Sequence, residues 1–249
     1  MKYDKRDVIN SLNKIGLKKN DIIFTQSNIA LFGVFKPSAN PCSFFFKTIL
    51  KKIGPGGTLI VPTFTYSLNG EIFDKQNSPS KCGIFSEYVR KTGKGKRSFD
   101  PVFSIYSIGK HAKYFCGGNK VNLNAFGKTS FFSKFFKKKG KIINFNDGYA
   151  SAHLHFFEKE LKVYYRKDKK FKVFFTTKKK IITRKIYKFY CRKSKNKYFL
   201  KLKKFNKYVE KHQIGKKVKL GLGNITYLNI VDMKKIIFDN YKKNKKFLI

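Results

Sequence analysis

Tryptophan is absent from this chain, and acidic residues are scarce: 14 aspartates and glutamates face 57 lysines and arginines. Without indoles, the bulk of a core must come from phenylalanine and tyrosine, and the 249 residues supply 28 and 14 of them. That is enough for a substantial hydrophobic core. Cysteine is sparse as well. Cys42, Cys82, Cys116 and Cys191 are widely scattered with no C-x-x-C pair, which argues against a structural zinc site and a disulfide scaffold. A reducing, cytoplasmic setting is the simplest expectation. No charged-then-apolar leader opens the chain, and no apolar run approaches the ~18 residues a membrane span needs. No transmembrane segment is therefore expected.

What is abundant is positive charge, a formal net of +43. Such a field attracts anions and repels polycations, so nucleic acid and anionic membrane surfaces must be considered. Two features weaken that reading. The lysines run through nearly every segment rather than forming one basic arm, and arginine, the usual base reader, is scarce beside lysine. Lysine, asparagine, isoleucine, phenylalanine and tyrosine also share codons rich in A and T, so genomic bias alone can load a surface with lysine. No specific nucleic-acid partner is expected.

Hydrophobic periodicity divides the chain into alternating elements. Residues 4–17 carry Val8, Ile9, Leu12 and Ile15 on one helical stripe, and residues 43–53 read as a second helix. Between and after them, residues 21–24 and 58–62 are short apolar runs of the buried-strand type. This strand–helix–strand order is the signature of an α/β sheet with parallel pairs. A long loop, 63–79, precedes a helix over 80–90. A strand is expected at 103–108, helices at 110–116 and ending near Gly140, and a strand at 141–145. Beyond Leu161 the period changes to two. Segments 163–165, 171–177 and 181–191 read as antiparallel strands with one wet face, forming a lysine-rich excursion over 162–207. A helix over 198–211, a hairpin over 218–230 and a helix from Asp232, capped by that residue, close the chain. The expected fold class is α/β, a mixed central sheet flanked by helices (an α/β/α sandwich) with an antiparallel C-terminal strand region. One domain over 1–249 is favoured, since no repeat or linker interrupts it.

The stretch Ser151–Glu158 concentrates chemistry. It holds two of the four histidines, and Ser151 is a candidate helix N-cap. His155 and Glu158 stand at i and i+3, on one helical face. A carboxylate beside an imidazole orients it and raises its basicity, which suits a general base near neutral pH. Spacing alone leaves open the alternative of a core histidine beside a solvated charge. Other motifs fail: Gly54-Pro55-Gly56-Gly57 lacks the order of a phosphate loop, and Gly221-Leu222-Gly223 lacks the third glycine of a dinucleotide fold. His153-x-His155 has no cysteine or second carboxylate nearby to complete a metal site, and none is expected.

Five ordered blocks carry more weight. Gly54 to Tyr66 is the first. Phe73-Asp74 with Ser78-Pro79-Ser80, Gly83, Glu87 and Arg90 follows, and then Arg97-Ser98 with Pro101, Ser104 and Gly109. Phe126-Gly127 with Ser130 and Gly140-Lys141, and finally Leu154-His155-x-x-Glu158, complete the order. Together, over roughly residues 5–240, they resemble the aminoglycoside 3-N-acetyltransferase family.

The resemblance implies an α/β fold distinct from the commoner acetyltransferase fold, and acetyl-CoA as co-substrate with no metal. It implies His155 as the base that takes the amine proton, with Glu158 as its partner. Ser27, Thr63, Phe64, Thr65 and Ser80 would contact the CoA, and Tyr66, Asp74, Glu87 and Asp100 the acceptor. The CoA phosphates would meet ample lysine. A homodimer is left open. The sequence departs from the family pattern at Thr25-Gln26, where a histidine-serine pair is usual, and at Asp100 and Phe103, where histidines are found. Ser151 or Ala152 stands at a usual threonine. With the +43 charge, these departures point to an anionic acceptor, a nucleotide-linked amino sugar of surface polysaccharide synthesis. The alternatives are aminoglycoside 3-N-acetylation, hence antibiotic resistance, or a basic protein binding nucleic acid or anionic surfaces on a decayed enzyme scaffold.

Overall fold

The computed structural model describes all residues except 37–39, 69, 177–180 and 195–196. The chain opens with β1 (Lys2–Tyr3) and α1 (Lys5–Lys14). Asp4 and Asp7 form a reciprocal capping box on α1, each carboxylate accepting the other's backbone N–H at 2.9 Å. Strand β2 (Ile22–Phe24), a 3-10 turn (Ile29–Phe32), β3 (Val34–Phe35), α2 (Pro41–Ile53) and β4 (Thr58–Pro62) follow. Proline at the first turn of α2 gives up an N–H that would have no helical partner there. Then come β5 (Ile72–Phe73), α3 (Ile84–Lys91), β6 (Lys96–Arg97), β7 (Ile105–Gly109), α4 (Ala112–Cys116), α5 (Phe131–Lys137) and β8 (Lys141–Phe145). The last part comprises α6 (His153–Glu160), β9 (Arg166–Thr176), β10 (Ile182–Arg192), α7 (Leu202–Lys211), β11 (Lys216–Leu220), β12 (Gly223–Asn229) and α8 (Ile230–Lys243).

Seven strands form the central sheet in the order β11-β12-β8-β2-β4-β7-β6. Strand β2 runs parallel to both β4 and β8, and the remaining pairs are antiparallel. The mixed sheet expected from sequence is present. Period-2 alternation assigns its two faces to two hydrophobic clusters. Phe24, Ile60 and Ile142 point into one, with α5, α6 and α8. Ile23, Leu59, Val61, Ile143 and Phe145 point into the other, with α1, α2 and α3. Helices therefore cover both faces, the three-layer arrangement.

The excursion is a long hairpin. β9 and β10 pair over eleven residues each, and β5 adds to β9 in parallel. Its inner face buries Val173, Phe175 and Tyr187, and Tyr187 donates its hydroxyl proton to Asp100 at 3.1 Å.

Several boundaries differ from expectation for local reasons. Residues 163–165 are not a strand, and the ladder begins at Arg166; Thr177 lies outside the described residues. The strand expected from residue 103 starts at Ile105, because Asp100 accepts the N–H groups of Val102 and Phe103 and turns the chain there. Helix α3 starts at Ile84 rather than at residue 80, behind Gly83 in a left-handed conformation (φ 87°). Helix α8 is capped by Asn229, not Asp232. Helix α6 begins at His153, and Ser151 still accepts the His153 N–H although it precedes the cap position.

Candidate active site

Helix α6 places His155 and Glu158 together. Strand β8 ends at Phe145, the chain turns through Asn146 (φ 62°) and Gly148 (φ 64°), and the helix follows. Asn144, buried in β8, holds this turn by donating to the carbonyls of Gly148 and Ala150. From the first turn of α6, His155 Nδ1 lies 2.7 Å from Glu158 Oε2. Pairing with Glu158, which only accepts when ionised, is the contact that puts a proton on Nδ1 and leaves Nε2 its lone pair. The His155 side chain is 25 % exposed and Glu158 is sealed. A partly exposed imidazole backed by a buried carboxylate is thereby assembled.

Two residues that sequence reading missed complete the cluster. Tyr165 donates to Glu158 Oε1 at 2.8 Å. The Arg166 guanidinium lies with Nε 2.7 Å from Glu158 Oε2, and its Nη2, which can only donate, lies 2.9 Å from His155 Nδ1 and so competes with a proton on that nitrogen. The Nε–H is not aligned on the carboxylate, so this contact is charge pairing rather than a hydrogen bond. Arg166 Nη1 donates to the Tyr190 carbonyl at 3.1 Å, which anchors it to β10. Burial alone would raise the Glu158 carboxyl. The hydrogen bond from His155, the charge of Arg166 and the Tyr165 hydroxyl outweigh it and hold the carboxyl below the usual range. Nothing marks Arg166 in a lysine-rich run, since its partners lie eight and eleven positions back on another element.

His153 does something different. Its ring is fully buried among Phe24, Phe131, Phe132 and Phe135, with centroids 4.7 to 5.3 Å away. Burial pushes it down to about 3, so it is neutral and structural.

A cleft of about 410 Å³ lies at the C-terminal ends of β2 and β4, lined by Gln26, Ser27, Phe64, Tyr66, Cys82 and Asp147 among others. Gln26 joins it to α6, because its side-chain oxygen accepts the Ala152 N–H at 3.2 Å. Neither His155 nor Glu158 lines the cleft, and of the nine residues expected around them it takes three: Ser27, Phe64 and Tyr66. Ser27 Oγ is buried without a hydrogen-bond partner, and the neighbouring α3 start has no side-chain cap.

The other six sit in internal networks. Thr63 Oγ1 pairs with Ser104 Oγ at 3.2 Å, and Thr65 Oγ1 donates to the Pro101 carbonyl at 2.7 Å. The Ser80 N–H donates to Glu87, which Arg90 also grips, so both belong to the α3 approach. Asp74 closes its own turn and accepts from Thr176. Asp100 is buried and takes donors from Val102, Phe103, Asn122 and Tyr187, leaving no oxygen for an acceptor molecule. Arg97, buried, pins the loop 63–79 by donating to the carbonyls of Thr63 and Ser78. Of the ample lysine expected around CoA, Lys81 alone lines the cleft among the described residues, and Glu71 holds its ammonium at 2.8 Å. Among the described residues, no group of three or more histidines, cysteines and acids is placed to hold a metal. No described helix is long and apolar enough to cross a membrane.

A family model described as aminoglycoside 3-N-acetyltransferase matches residues 34–241. The chain belongs to this acetyltransferase family. No curated protein matches it closely enough to count as a relative. Solved structures similar to it include AAC-IIIb in a binary complex with CoASH, at 17% identity and a TM-score of 0.82, covering 98% of each chain. AAC-VIa bound to sisomicin aligns at 14% identity and 0.81, again over 98% of each chain. The YokD protein from Bacillus subtilis aligns at 17% and 0.75, over 95% of this chain and 98% of its own. At such identities these likenesses speak to the fold alone. They show that this acetyltransferase-family chain has the α/β architecture of those proteins over nearly all of its length.

Proposed function

We propose that the protein is an acetyl-CoA-dependent N-acetyltransferase acting on an amine of an aminoglycoside-type amino sugar. The observation that carries the reading is the His155–Glu158 pair, with the His155 side chain partly exposed and Glu158 buried behind it. An ammonium has no lone pair with which to attack a thioester, so the acceptor must lose a proton. The ammonium first gives one proton to water, and His155 Nε2 takes a second from the neutral amine as its nitrogen bonds to the acetyl carbonyl carbon. The carbon–sulfur bond breaks, and the departing thiolate receives the proton. Glu158 holds the ring and stabilises the imidazolium that forms meanwhile.

The cleft residues fit the co-substrate. Ser27 Oγ has no partner within the protein and lines the cleft, beside the uncapped start of α3. The matched AAC-IIIb structure holds CoASH, which supports the same co-substrate here. For the acceptor, the net charge argued for an anion, but the cleft argues otherwise. Among the described residues, its one lysine, Lys81, is paired with Glu71, while Asp147 lines the cleft with no hydrogen bond or ion pair. A cationic acceptor meets a carboxylate there rather than the protein's overall field. Family membership and the sisomicin complex of AAC-VIa favour an aminoglycoside in the same way. The nucleotide-linked sugar of polysaccharide synthesis gains no support from the comparisons. The test is thiol release from acetyl-CoA with an aminoglycoside panel set beside a nucleotide-linked amino sugar. Turnover only with the nucleotide-linked sugar would overturn the acceptor, and no turnover with any amine would overturn the reaction.

A further inference from the structure

The hairpin excursion delivers a residue to the catalytic pair that the base chemistry above does not use. We propose that Arg166 is a positioning residue that offsets the charge of Glu158, so that His155 is held in place by the carboxylate without being kept protonated by it. The proposal deepens the acetyl-transfer reading, and only its kinetic arm rests on that reading.

The geometry is specific. Arg166 is 5 % exposed at its side chain and Glu158 is 0 %, so water does not screen the pair. Among the described residues, the charged groups in contact with the His155 ring are Glu158 from α6 itself and Arg166 from β9. Phe126 offers an uncharged ring with its centroid 6.4 Å away, and Tyr165 reaches Glu158 rather than the imidazole. A buried carboxylate acting alone on a histidine favours the imidazolium, which is the wrong resting form for a base. A guanidinium 2.9 Å from Nδ1 opposes that, because two cations at this separation repel. Arg166 also fixes Glu158 in place, since its other arm is tied to the Tyr190 carbonyl. Arginine suits this task better than lysine: it stays charged and its planar fork spans carboxylate, ring and carbonyl together.

Two variants and two readouts test this. Histidine-selective ¹⁵N labelling follows the protonation of His155 by NMR with no substrate present, its signal assigned by comparison with His155→Gln. Acetyl transfer gives kcat, KM and the pH profile. In Arg166→Met the His155 midpoint should rise by about 1 pH unit, with the acid limb of kcat/KM moving in the same direction. In Arg166→Lys the charge remains while the fork is lost. The midpoint should then stay near the wild-type value while kcat falls at least about tenfold and the KM for acetyl-CoA changes little. Should Arg166→Met not fold, Arg166→Lys decides: lowered kcat with an unmoved midpoint supports the role, and unchanged kcat overturns it. A folded Arg166→Met protein with an unmoved His155 midpoint also overturns it. If the wild-type protein acetylates nothing, the reaction assignment fails, and the NMR arm still gives its answer on Arg166.

Discussion

The buried histidine gives a stability prediction with a definite sign. His153 has an ordinary value of 6.5 and is pushed down to about 3 in the folded protein by burial alone. Below pH 6.5 the unfolded chain binds a proton that the native ring refuses until about pH 3. Native stability must therefore fall as pH drops through that window, by about 1.4 kcal/mol per unit once well below 6.5. At pH 7.5 the penalty is about 0.1 kcal/mol, and at pH 5.0 it is about 2 kcal/mol. The perturbation is His153→Phe. Phenylalanine suits the four surrounding phenylalanines and removes Nε2, a buried nitrogen without a hydrogen-bond partner. Urea unfolding of both proteins at the two pH values provides the assay. The carboxylates titrate equally in both, so their contribution cancels from the difference. His153→Phe should gain about 2 kcal/mol over wild type at pH 5.0 beyond whatever difference exists at pH 7.5. An identical pH dependence in the two proteins, with equal m-values, would refute the account of His153 as a neutral buried ring.

Other expectations follow from the same networks. Glu158→Gln leaves Arg166 buried without its counter-charge, so urea unfolding should show a loss of about 3 kcal/mol or more, and turnover should fall by at least about 100-fold. Tyr187→Phe removes one donor from the buried Asp100 carboxylate; a cost of about 1–2 kcal/mol is expected at neutral pH, where the remaining donors still hold it. Arg97→Met frees the Thr63 and Ser78 carbonyls, and limited proteolysis should cut within residues 63–79 faster than in wild type. Ser27→Ala should reduce the CoA-induced rise in melting temperature while leaving the ligand-free value almost unchanged, because its Oγ has no internal partner to lose.

The layers of the fold were legible where one physical rule acted alone. The run 58–62 is buried throughout, as a continuous apolar segment implies, and the change to period 2 after Leu161 marks the hairpin of β9 and β10. Boundaries were missed where side chains compete with propensity. Asp100 turns the chain before β7, Gly83 delays α3, and Asn229 rather than Asp232 caps α8. Two-residue strands such as β1, β3 and β5 have no period to display and become strands only through distant partners. At the site, His155 and Glu158 were readable because helical spacing fixes their separation. Arg166, Tyr165, Gln26 and Asp147 were not, since tertiary packing alone brings them to the pair or the cleft. The reverse error has the same origin: Asp74, Glu87 and Asp100 look available in sequence, yet each carboxylate is engaged by neighbouring donors.

The central claim is that His155 is the base for acetyl transfer from acetyl-CoA to an amine. Its most direct measurement is single-turnover thiol release with acetyl-CoA and an aminoglycoside, wild type against His155→Gln, with CoA binding checked in both by thermal shift. The account predicts equal CoA-induced shifts and a loss of turnover of at least about 100-fold in His155→Gln. Undiminished turnover in that variant, or no CoA-induced shift in the wild-type protein, would contradict it.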